Sequence, residues 1–100
     1  MERSSSQQVI PGIELDAAGH AAVAPAMGQR LIELAIALEP YTPHPVEVQH
    51  VLAAIILAVR GGELPAGQSL RNTDARLCEI LARHVNELFE RSGGRVALDE

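Results

Sequence analysis

A histidine stands where packing alone would choose a leucine. Leu77, Leu81, His84 and Leu88 recur at spacings of four, three and four, so an imidazole shares one helical stripe with three leucines. There it could titrate as a pH switch, touch a small ligand, or form a polar layer that fixes helix register. The plainer alternative is a core histidine whose ring packs on leucines while its nitrogens reach a backbone carbonyl or water.

Two carboxylate and imidazole pairs have the one-turn spacing with which facing helices hold metal ions: Glu47 with His50, and His84 with Glu87. Such bundles need further inward carboxylates. Glu47 and His50 also fall opposite Val48 and Val59 on the helix circumference, a position expected to face solvent. Neither metal nor cofactor is expected. Cys78 lies near the start of its helix, where the dipole could lower a thiol pKa, but no histidine is near it in sequence and a small cysteine at the edge of the core fits better. Glu79, Arg83, Glu87 and Arg91 form an i, i+4 ladder of alternating sign, either a docking strip for a charged partner or, more simply, a solvated face that draws Glu87 away from any metal.

The chain carries no Gly-x-Ser-x-Gly elbow and no glycine-rich phosphate loop, since Gly61-Gly62 and Gly93-Gly94 follow helical segments and read as stops. No catalytic residue is assigned, and the balance leans away from an enzyme. The formal charge is -5, and the 8 basic residues, all Arg, are scattered, so nucleic acid and anionic membranes are unfavourable partners. All-Arg usage fits the codon bias of a GC-rich, bacterial-looking genome. A lone Cys78 and a polar start without a secretory layout make the cytoplasm the expected location. The longest apolar run, Val51 to Val59, is about half of the roughly 20 residues needed to span a bilayer.

Apolar residues make up 47% of the 100, yet the aromatics are only Tyr41 and Phe89, so the core must be aliphatic and set at helical spacing. Residues 1–12, Ser- and Gln-rich and ending in Pro11-Gly12, read as a flexible tail outside the core. Residues 13–100 read as a single helical domain. Ile13 and Leu15, then Ala21 and Val23, alternate around an Asp16 to Gly19 turn, which predicts a small hairpin. The rival is a short helix from Asp16, weakened by Gly19 and interrupted by Pro25. The first helix should span Met27 to Glu39 and the second Pro45 to Arg60. A third, capped by Asn72 or Thr73 after a loop from Glu63, should run to Arg91. The tail could add a strand from Val96 to Leu98.

The expected fold is therefore mainly α: a three-helix domain with a small N-terminal β-hairpin. Ile32 and Ile36 lie off the main stripe of the first helix, and Ile56 and Leu57 off that of the second. Large aliphatic side chains left in water forfeit about 1.5 to 3 kcal/mol each, so these residues are the expected interface of a homodimer or of another protein partner. A small-molecule or metal site organised around His84 is the alternative. A DNA-binding regulator is disfavoured by the acidic charge and by the roughly ten-residue loop between the second and third helices, where a helix-turn-helix uses about three or four.

Overall fold

The computed structural model describes residues 7–17, 20–64, 70, 74–93 and 95. Three short strands, β1 (Gln7–Ile10), β2 (Ile13–Leu15) and β3 (Ala21–Val23), precede three helices, α1 (Pro25–Ala37), α2 (Val48–Arg60) and α3 (Ala75–Ser92). A 3₁₀ turn, Glu39–Tyr41, follows α1. The fold is mainly α with a small N-terminal β unit.

The sheet is antiparallel in the order β1-β2-β3. The expected hairpin forms, with Leu15 opposite Ala21 and Ile13 opposite Val23. Its turn closes at Asp16, whose carboxylate accepts the His20 N–H at 2.8 Å while its own N–H donates to the His20 carbonyl at 3.0 Å. Residues 7–12 depart from the flexible tail that composition predicts. Val9 and Ile10 are buried, and β1 pairs with β2 through a turn at Pro11-Gly12. Proline fixes one φ of that turn and Gly12 supplies the other, at +98°. A Cβ on Gly12 would also stand 3.0 Å from that of Met27, so the turn lies tight against α1. Pro-Gly here begins a hairpin instead of ending a tail.

Pro25, expected to interrupt a helix, occupies the first turn of α1, where its missing N–H costs nothing. Leu31 and Leu34 of α1, with Leu38 just beyond it, are almost wholly buried. α2 starts at Val48, three residues after the expected Pro45, because Pro43 and Pro45 hold the approach extended. α3 is capped by Asp74, whose carboxylate accepts the Leu77 N–H at 2.8 Å, and ends at Gly93 in the left-handed conformation at φ +69°. Asn72, Thr73 and the suggested strand Val96 to Leu98 lie outside the described residues.

α2 is the central helix, packed on α1 along one side, on α3 along another and on β1 as well. Its nearly uninterrupted apolar sequence follows from that place: Val51, Ala53, Ala54, Ile55, Ile56 and Ala58 are all fully buried. Among the described residues, no helix is long and apolar enough to cross a membrane.

Candidate functional site

α1 carries an apolar surface that the described residues leave open. Its inner side is the Leu31, Leu34 and Leu38 stripe, while Ile32 and Ile36, one turn apart on the outer side, are 45% and 60% exposed. Gly28, Ile32 and Ile36 follow one another at i, i+4 spacing and so lie along one ridge of the helix. Within α1 the Arg30 guanidinium meets Glu33 at 3.0 Å. Arg30 Nε also donates to the carbonyl of Leu70 at 2.5 Å.

The other two residues expected on this interface lie elsewhere. Ile56 is fully buried, which corrects its assignment to a docking face: α2 packs on α1, α3 and β1, and the core takes that side chain. Leu57 is half-buried and, with His84, Glu87, Leu88 and Arg91, lines a cleft of about 120 Å³ between α2 and α3. Ligand pockets commonly enclose about 300 to 1,000 Å³.

His84 is nearly buried, with an 11% exposed side chain, and its Nε2 lies 2.5 Å from a carboxylate oxygen of Glu63. The other oxygen of Glu63 pairs with Arg83. Burial lowers the His84 pKa below 6.5, the Arg83 guanidinium pushes it the same way, and Glu87, 3.7 Å from Nδ1, opposes them. The Glu63 carboxylate, shared with Arg83, accepts the hydrogen bond from Nε2–H. The arrangement ties the segment after α2 to α3. Sequence reasoning missed Glu63, because a carboxylate just after a glycine stop belongs to no periodic pattern. Arg83 of the expected ladder also turns to Glu63.

His50 corrects the solvent-facing assignment of the Glu47 and His50 pair. Glu47 is exposed, but His50 is 4% exposed, and its Nδ1 accepts the Glu47 N–H at 2.9 Å, closing the first turn of α2. Val48, assigned inward, is 37% exposed because it is the first residue of the helix. The His50 ring packs tilted on Phe89 at 4.8 Å, and His44 stacks on the same ring at 4.3 Å with 3° between the planes. Thr42 adds a 2.5 Å bond to Asn86, so residues 42–50 are bound to α3 by side chains. Among the described residues, no group of three His, Cys, Asp or Glu is placed to hold a metal ion.

Cys78 is buried, and burial raises its thiol pKa, with Asp74 adding to the effect and Arg30 opposing it. That environment disfavours the thiolate on which nucleophilic chemistry depends. A broader surface cavity of about 400 Å³ lies at the start of α1, lined by Pro11, Gly12, Met27, Arg30 and Leu70 among others. Comparison with protein-family models, curated proteins and solved structures finds no match to this chain.

Proposed function

We propose that this chain is a protein-interaction module that self-associates through the outer face of α1. The observation that carries the reading is the exposure of Ile32 and Ile36 opposite a fully buried leucine stripe on the same helix. A contact centred on two isoleucines removes apolar area from water at about 25 cal/mol per Å², and its uncharged centre matches the charge-poor middle of protein interfaces. The alternative organised around His84 is weaker, because that ring is engaged with Glu63 and the adjoining cleft is small. The reading includes a cytoplasmic, bacterial setting, supported by a single buried cysteine and by the exclusive use of Arg.

Sedimentation equilibrium tests it. The wild-type mass should rise above 10.7 kDa with concentration, while Ile36→Glu should stay at 10.7 kDa with its thermal unfolding unchanged. A wild-type protein of 10.7 kDa at every concentration would overturn the reading.

A further inference from the structure

Resting on the reading of α1 as a self-association surface, we infer that two copies meet with their α1 helices antiparallel across a twofold axis at Ile32. Ile36 of each copy then sits over Gly28 of the other. Gly28 is the observation that goes beyond exposure. It stands inside α1, where glycine is the poorest residue after proline. Its φ is not positive, unlike those of Gly12, Gly62 and Gly93, so the backbone does not require glycine there. Among the described residues, a Cβ at Gly28 would meet nothing within 4 Å, so crowding does not require it either. Open space over Gly28 that no described residue fills, one turn before an exposed isoleucine, leaves room for a side chain from outside.

The spacing specifies the arrangement. Gly28, Ile32 and Ile36 are equally spaced, and a twofold axis at Ile32 between antiparallel helices brings position 36 of one copy opposite position 28 of the other. The gap and the protruding side chain are thereby matched twice, with Ile32 against Ile32 between them. A ridge of i, i+4 residues is also the surface that interdigitates in the commonest helix crossing. Antiparallel helices place opposite dipole ends together.

The match of Gly28 with Ile36 about Ile32 is what selects a second copy as the occupant. The net charge of -5 opposes association in general, but the Gly28, Ile32, Ile36 row carries no charge, so two copies meet there without setting like charges against each other. A basic partner would instead favour the open groove between Tyr41 and α3, where Glu79, Glu87 and Glu90 outnumber Arg83. One helix crossing is small beside the roughly 800 Å² that each partner buries in a stable complex, so the dimer is weak and concentration-dependent.

Disulfide trapping provides the test. Ile32→Cys should cross-link rapidly under mild oxidation, since the two copies of position 32 meet on the axis. Ile36→Cys should not, because its two copies stand about 12 Å apart along the helices, beyond disulfide reach. Cys78 is buried and leaves the introduced thiol as the reactive one. Gly28→Leu fills the gap while strengthening the helix, so it should raise the melting temperature yet weaken association by at least about tenfold. Cross-linking at both positions would indicate parallel helices and overturn the arrangement. A wild-type dimer with no cross-link at Ile32→Cys, or one unaffected by Gly28→Leu, would overturn it while leaving self-association intact. A wild-type protein that stays monomeric would overturn both.

Discussion

α1 and α2 are each 13 residues long, and each carries apolar residues beyond a single stripe, yet the fold treats them differently. α2 lies between α1, α3 and β1, and Ile56 on its second side is fully buried. α1 lies at the edge of the helical layer, and Ile36 on its second side is 60% exposed. Surplus apolar surface therefore has two outcomes, set by position: a central helix gives it to the core and a peripheral helix presents it outward. The same residue type in the two places should behave oppositely when changed.

The largest contrast comes from Ile56→Glu, which forces a carboxylate into a fully buried site and should abolish cooperative thermal unfolding in circular dichroism. The milder Ile56→Ala should cost about 2 to 5 kcal/mol in a denaturant titration. A tolerated Ile56→Glu would mean that α2 is not central. Removing the cap of α3 with Asp74→Ala should cost about 1 kcal/mol by the same titration, by freeing the Leu77 N–H.

His84 adds a pH dependence of similar or smaller size. Its folded pKa is depressed below 6.5, so the unfolded chain takes up the proton first. The stability it contributes is present above about pH 6.5 and is lost as pH falls through the folded value. The denaturation midpoint should decline over that window, and less so in His84→Leu. A His84→Leu variant with the same decline in that window would show that the imidazole is not its source. The smallest effect is that of Ile36→Ser on the monomer, within about 0.5 kcal/mol of wild type in dilute solution, as for surface positions without structural partners. A loss comparable to that of Ile56→Ala would show that α1 is covered within the chain.

Much of the fold was legible because it rests on periodicity. The Leu31, Leu34 and Leu38 stripe, the leucines of α3 and the alternation of Ile13, Leu15 and Val23 all point the way they are buried. What stayed hidden depends on long-range placement or on one turn. Pro11-Gly12 suits a tail end as well as a hairpin, and only burial of Val9 and Ile10 decides between them. His50 on the polar side of a helical wheel looks solvated until Phe89, far along the chain, supplies the surface for its ring. Of the candidate site, exposure of Ile32 and Ile36 could be anticipated and burial of Ile56 could not, because a wheel shows which faces are apolar but not which neighbours they have. Glu63, the partner of His84, carried no signal for the same reason.

Isoleucine-methyl NMR across a dilution series tests the central contrast most directly, because it observes both helices in one sample. The methyl resonances of Ile32 and Ile36 should move with protein concentration, while those of Ile55 and Ile56 stay fixed. Concentration-independent resonances at Ile32 and Ile36, or equal movement at Ile56, would contradict the account.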